Sequence, residues 1–573
     1  MLAFIDKPFV ALEGTIGVPK DELKLLFSMF LSYPLAGVLK RLPEAQTWKK
    51  NLFIIAVSLF ICTGIFSLWT GFLTLVGTSM ATYYLAANFK SPFMPWVAFA
   101  ALMTHMLYLH AYRELFPRPG VVDITGAQMV LVMKLTAFAW SVHDGRQPES
   151  ELTEHQKNRA VKTMPGILDY LGYVLFFPAL FAGPSFDYAE YQRWITCTMF
   201  DVVVPSSKSP SGTKRKRRIP SSSGPAALKG LMAVFWFAAT IKFKSWFYVE
   251  YLLGDEFLKL GFLSRVLYTY GFAFASRLKY YGAWSLSEGA CILTGLGYNG
   301  VDAKTGKARW DRVTNVEPLK LEFAENARAL LESWNMNTNQ WLKNYVYLRI
   351  TPKGKKPGFR STMVTFATSA LWHGISPGYY LTFIMGAFVQ TIAKYLRRYV
   401  RPLFLSPDGI TPGPYKRYYD ISGIILTQVT FAYVTAPFII LDLKESFIFW
   451  TRTYYYGHIG IGFLYFYFHS PYGRGMLIKL QKERVAKFTQ KKLKEAVTEE
   501  KAMEAMKGKL NKYNVSAMNV NEPGPLGLPE DVERDLIEAA KKELNEVDWK
   551  KAEGLLRGVK SMRNRKAQET EVR

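Results

Sequence analysis

The chain is poor in cysteine. Its three thiols, Cys62, Cys197 and Cys291, lie far apart and form no Cys-x-x-Cys pair, which excludes a disulfide framework and a cysteine-rich zinc site. They are expected as small buried hydrophobes. Acidic residues are scarce as well: 46 Asp and Glu stand against 72 Lys and Arg, leaving a formal net charge of +26. Within the apolar part of the chain Glu288 is almost the sole obvious carboxylate, so the paired intramembrane carboxylates of a proton-coupled transporter are missing. Residues 1–20 carry Asp6, Lys7, Glu13 and Pro19 and lack a basic start followed by an apolar core, so the first span is expected to serve for insertion. No repeat of 20 to 50 residues is visible, which argues against a transporter built from duplicated halves.

What the chain does have is long apolar runs. Its mean hydropathy of +0.02 averages an apolar region, residues 24–470, with a charged remainder. Candidate spans lie near 24–41, 51–69, 71–88, 94–112, 127–143, 167–184, 226–243, 259–277, 281–298, 362–374, 378–395, 420–441 and 445–468, each near the ~17 to 25 residues that cross ~30 Å of hydrocarbon. The pattern predicts an all-α integral membrane protein of about eleven membrane helices. Some are expected to be re-entrant, because segments with Lys134 or His143 suit a bundle interior better than lipid. Aromatic residues make up 15% of the chain, and Trp and Tyr gather near segment ends, at headgroup level.

Residues 1–473 read as one membrane domain and 474–573 as a charged, helix-prone tail. A flexible basic loop at about 205–225 contains Lys208–Arg218, and a second polar insertion spans Gly300–Arg328. The positive-inside rule puts the basic loop and the tail in the cytosol. The basic string also resembles a nuclear-localisation signal, but so many spans make the partner a membrane and not nucleic acid.

Ionisable groups are expensive at bilayer depth. Met363–Phe383 is almost uncharged, yet it carries Trp372-His373-Gly374. A neutral imidazole accepts a proton near neutral pH, and a Gly/Pro break follows it directly. The expectations are a general base at membrane depth or a histidine satisfied by a neighbouring helix. Upstream, helical spacing places Asn335 and Asn339 on one face, beside Trp334, Trp341 and Leu342. Such a stripe suits a site that meets both an acyl chain and polar groups; it also suits an interfacial helix whose amides bond to neighbouring backbone. His105 and His110 are five apart, which does not stack them on one face, and both are expected to be structural or interfacial.

The segment Trp372 to Phe383 resembles the pattern W-H-G-x-x-x-G-Y-x-x-x-F of the lysophospholipid acyltransferases among the membrane-bound O-acyltransferases, at every fixed position. Other segments are similar, in order along residues 120 to 470: Gly183 to Tyr188, Ser287-Glu288-Gly289-Ala290, Gly295 to Gly300, Trp310-Asp311, Trp334-Asn335 and Tyr433 to Phe438. One departure stands out. In the late motif Y-x-x-x-Y-F-x-x-H, Tyr465, Phe466 and His469 match, but Ile461 replaces the first tyrosine and supplies no hydroxyl.

The resemblance implies a multi-helix bundle enclosing a catalytic chamber in the endoplasmic reticulum membrane. It implies acyl transfer from acyl-CoA to the free hydroxyl, sn-2, of a lysophospholipid in phospholipid synthesis and remodelling. His373 is then the general base, and Asn335 donates to the acyl carbonyl or orients the imidazole. Trp334, Asn339, Trp372, Gly378, Tyr379, Phe383 and Glu288 become candidate substrate contacts. Coenzyme A carries several phosphates and asks for a cytosolic basic mouth; Lys343, Arg349, Lys353, Lys355, Lys356 and Arg360 are the candidates. The expected partners are lysophospholipid, acyl-CoA as co-substrate and membrane lipids, with no tightly bound cofactor and no metal site. Another acceptor within the family (sterol, diacylglycerol or protein) and a polytopic lipid transporter are the alternatives.

Overall fold

The computed structural model describes residues 3–498, apart from 119, 201–218, 353, 356, 407 and 408. Most of the basic loop at 205–225 and the tail beyond 498 therefore lie outside the described residues. Among those described, extended pairing is limited to two isolated bridges, Val301 with Ala308 and Leu405 with Pro412. The helices of seven residues or more are α1 (Ala3–Ile16), α2 (Lys20–Arg41), α3 (Thr47–Leu59), α4 (Trp69–Asn88), α5 (Met94–Leu115) and α6 (Thr125–Gly145). Then come α7 (Ile167–Val174), α8 (Tyr188–Ile195), α9 (Ser223–Lys244), α10 (Phe262–Thr294), α11 (Ala327–Ser333) and α12 (Met336–Leu342). The last are α13 (Phe359–His373), α14 (Pro377–Tyr395), α15 (Lys416–Ile440), α16 (Leu443–Arg452), α17 (Tyr456–His469) and α18 (Pro471–Thr498).

Several span expectations change at their ends. The candidates 259–277 and 281–298 are one helix of 33 residues, α10, about 50 Å long at 1.5 Å per residue. Arg277 is the last residue of the first candidate; Glu322 pairs with it at 2.7 Å and the rings of Tyr270 and Phe274 lie within 6.0 Å of its guanidinium. A neutralised cation does not require the helix to stop. Conversely, 445–468 is split into α16 and α17, because Tyr454 and Tyr455 take left-handed backbone (φ 54 and 50) that no right-handed helix accommodates.

Four described stretches are long and apolar enough to cross a membrane: Lys20–Arg41, Thr47–Ile65, Ser223–Leu253 and Lys416–Ile440. In Ser223–Leu253 only 11% of the apolar window is buried, and Leu231, Phe235 and Ile241 point outward, as expected of a lipid-facing helix. That criterion yields fewer spans than the about eleven expected from the sequence. It leaves out α6, whose buried Gln128, Lys134 and Thr136 are surrounded by protein.

The chain forms two compact units: residues 1–387 with 427–457, and residues 388–426 with 458–573. In the first, α6 is the central element. Val132, Leu135, Phe138 and Ala139 are fully buried, in one core with Tyr170 and Tyr173 of α7 and Tyr191 and Trp194 of α8. In the second unit a small core joins Ile392, Tyr399, Phe468 and Leu477, and Gln481 Nε2 donates to the Tyr399 carbonyl at 2.6 Å.

Candidate active site

The helix α13 stops at His373 because Gly374 takes φ +145, a backbone region that residues with a Cβ avoid. A Cβ there would also meet the Tyr379 ring at 3.0 Å. Pro377 then opens α14, where its fixed φ favours a first helical turn. Gly378 allows α14 to close on the end of α15: a Cβ at 378 would lie 2.1 Å from the Pro437 carbonyl oxygen, and Gly378 N–H donates to the Leu441 carbonyl at 2.9 Å. That contact gathers rings around the imidazole. Trp372 lies at 4.7 Å between centroids, Phe438 at 4.9 Å, Phe383 at 5.2 Å and Tyr379 at 5.7 Å. His373 stays partly exposed, and neither ring nitrogen bonds to a described residue. Among the described residues no neighbouring helix supplies it with a hydrogen bond.

Asn335 sits differently from its sequence expectation. It caps α12 in left-handed backbone, φ 43 and ψ 52, a conformation asparagine tolerates. Asn335 and Asn339 therefore do not share a helical face; Asn339 Nδ2 instead donates to the Leu331 carbonyl at 2.8 Å. The cause is Asn315, in the preceding polar insertion. Its carbonyl accepts from Met336 N–H at 2.8 Å and its Oδ1 from Asn337 N–H at 3.1 Å, which draws the first turn of α12 onto the loop. Asn315 Nδ2 and the Thr338 hydroxyl both donate to Asn335 Oδ1, at 3.3 and 2.8 Å. The oxygen side of the Asn335 amide is occupied. Its Nδ2–H₂ has no acceptor among the described residues, and the residue is partly exposed.

One face of α6 holds chain neighbours of both residues. The Trp372 indole donates to the Met129 carbonyl at 3.0 Å, the Thr338 hydroxyl lies 3.3 Å from Met133 Sδ, and the Trp341 indole donates to Thr136 Oγ1 at 2.8 Å. Positions 129, 133 and 136 share a helical stripe, and Met129 to Met133 is ~6 Å along the axis. The Trp341 and Trp372 rings also meet, at 6.2 Å. An imidazole that can take a proton and an amide that can donate one are thereby referred to a single element.

The other motif residues brace this arrangement. Glu288, 1% exposed, pairs with Lys229 at 2.8 Å and accepts from the Thr314 hydroxyl at 2.6 Å, which fixes the residue next to Asn315. Asp187 caps α8 with Glu190, pairs with Arg159 and accepts from Tyr345 OH at 2.9 Å, just beyond α12. Trp334 packs on Trp284 and Tyr280 of α10 at 4.8 and 5.7 Å. Among the coenzyme candidates, Arg349 is bonded through both terminal nitrogens to Asp144 and lies 4.1 Å from the Trp140 ring centroid. Lys343, Lys355 and Arg360 are exposed; Lys353 and Lys356 lie outside the described residues. Outside the spans, burial first, then Arg159 and Arg349 and, more weakly, Lys343, push His155 down to about 4, against an opposing pull from Glu190.

The fold therefore brings His373, Trp372, Tyr379 and Phe383 into one cluster and ties Asn335 to it through α6. Phe438, whose Y-x-x-x-x-F segment carried no stated role, joins the cluster. Asn315 gave no sequence signal at all.

The helical fold, with four described stretches long and apolar enough to cross a membrane, defines an integral membrane protein. The chain belongs to the membrane-bound O-acyltransferase family, whose model matches residues 109–436, and it is an acyltransferase. It is similar to the lysophospholipid acyltransferase of Schizosaccharomyces pombe, 48% identical over 471 residues that cover 82% of this chain and 91% of that protein. The lysophospholipid acyltransferase of Saccharomyces cerevisiae is 44% identical over 480 residues, 82% of this chain and 77% of that protein. The membrane-bound glycerophospholipid O-acyltransferase 2 of Homo sapiens is 32% identical over 339 residues, 59% and 63%.

Proposed function

We propose that the protein transfers a fatty acyl group from acyl-CoA to the free hydroxyl of a lysophospholipid, at sn-2. The hydroxyl oxygen attacks the thioester carbon while His373 takes its proton, and Asn335 Nδ2–H₂ donates to the carbonyl oxygen as charge gathers there. Collapse breaks the carbon–sulfur bond, and the leaving thiolate receives the proton from His373. No covalent acyl-enzyme is needed. The observation that carries this reading is the pair of groups without a partner among the described residues, the His373 ring nitrogens and the Asn335 amide nitrogen, whose chain neighbours Trp372, Thr338 and Trp341 are bonded to one face of α6. A positioned base contributes ~10² to 10⁴ in rate, and one oxyanion donor ~3 kcal/mol.

The names of the two yeast relatives support the acceptor class. The exposed Lys343, Lys355 and Arg360 support a basic mouth for coenzyme phosphates. The excess of Lys and Arg in the loop at 205–225 and in the tail supports a cytosolic position for both, and we place the enzyme in the endoplasmic reticulum membrane, with no tightly bound cofactor.

The test is thiol release by purified protein in nanodiscs, crossing lysolipid headgroups with acyl-CoA lengths and identifying products by mass spectrometry. Diacyl phospholipid is expected with the wild type and none with His373→Ala, at unchanged folded yield. Near-normal turnover of His373→Ala would remove the base assignment. Product from a sterol or diacylglycerol alone would change the acceptor.

A further inference from the structure

The His373 imidazole has no hydrogen-bonding orienter among the described residues, but the peptide that precedes it has one. We propose that His110 and Glu114, one turn apart near the end of α5, position His373 by clamping the turn Trp372–Ser376. His110, 8% exposed, donates Nε2–H to the Trp372 carbonyl at 3.1 Å. Ser376 Oγ donates to Glu114 Oε2 at 3.3 Å. Both contacts span 262 residues, so a four-residue step on α5 meets a four-residue step on the turn. The two residues lie on one helical face, as i and i+4 must.

The Trp372 carbonyl is among the last four of α13, which no amide of the helix can reach. In a continued helix the Ile375 or Ser376 amide would reach it, but both lie beyond Gly374, where the helix has ended. His110 fills that vacancy. Because the peptide unit is planar, holding the Trp372 oxygen also holds the His373 nitrogen, and with it the direction in which the His373 side chain leaves the backbone. Trp372 is gripped at both ends, its indole by Met129 of α6 and its carbonyl by His110 of α5. The missing side chain at Gly374 makes room for the clamp, since a Cβ there would lie 3.4 Å from His110 Nδ1. His105, on the same helix, faces Thr78 and Gln128 instead. His110 touches no reacting atom; it is a positioning residue, and the inference rests on His373 being the base.

The experiment compares His110→Gln with His110→Asn in the full-length protein in nanodiscs. The glutamine amide reaches the place of Nε2, whereas asparagine is one methylene shorter and falls short of the Trp372 carbonyl. His110→Gln is expected to keep kcat within about threefold of wild type, and His110→Asn to lose about 10- to 100-fold in kcat per folded molecule, with both KM values within about twofold. Wild-type kcat in His110→Asn, a change confined to KM, or equal loss in both variants overturns the clamp. Should His110→Asn not fold, Glu114→Ala at an exposed site decides: a fall in kcat of at least about threefold at constant KM supports the clamp, and wild-type kcat overturns it. His373→Ala in parallel separates the two readings. Activity retained there removes the base itself, whereas loss there beside neutral α5 variants removes only the clamp.

Discussion

At the residue scale, His373 and Asn335 are each half-finished. Four rings fix the tilt of the imidazole while both its nitrogens stay open. The Asn335 amide has its oxygen bonded and its nitrogen free. Asn335→Asp keeps the shape but replaces the donor with an acceptor, and is expected to lower kcat by more than about tenfold; a rise in acceptor KM at constant kcat would assign Asn335 to binding instead. Gly374→Ala tests the backbone. At φ +145 an alanine is strained and the Tyr379 ring is 3.0 Å away, so destabilisation of more than ~1 kcal/mol and a lower kcat are expected from thermal unfolding and turnover assays.

At the element scale, α6 works as a common reference for α12 and α13. Thr136→Val is nearly isosteric but leaves the Trp341 indole N–H, buried at 3% exposure, without its acceptor. An unsatisfied buried donor costs ~1 to 3 kcal/mol, so a lower melting temperature and a several-fold lower kcat are expected; unchanged values for both would show that α12 is held elsewhere. This is also where sequence and structure part company. The family was legible because its motif is dense and ordered along the chain, and His373 and Asn335 stand out within that motif as polar side chains in apolar sequence. The continuity of α10 was not legible, because the partner that neutralises Arg277 is Glu322, 45 positions on. The left-handed Asn335 was not legible either, since helical spacing said nothing of the Asn315 loop that bends the chain there. The five-residue spacing from His105 marked His110 only as structural or interfacial, and its partner, a backbone carbonyl 262 positions on, leaves no mark on composition.

At the scale of the whole molecule, charge is distributed as a membrane demands. Arg277, buried with Glu322, and Glu288, buried with Lys229, are paired, while the excess of +26 comes largely from polar segments outside the spans. The orientation that follows is testable in sealed microsomes. Protease added outside is expected to cut within Lys208–Arg218, and cutting only after permeabilisation would place that loop in the lumen.

The α6 stripe has a further consequence, for length changes. A helix is a screw, and each added residue advances its phase by about 100°. One residue inserted between Met129 and Met133 would leave every side chain of α12 and α13 in place, yet turn the Trp372 acceptor away from those of Thr338 and Trp341. A side chain on this helix can change one contact at a time, whereas a change in spacing disturbs all three at once.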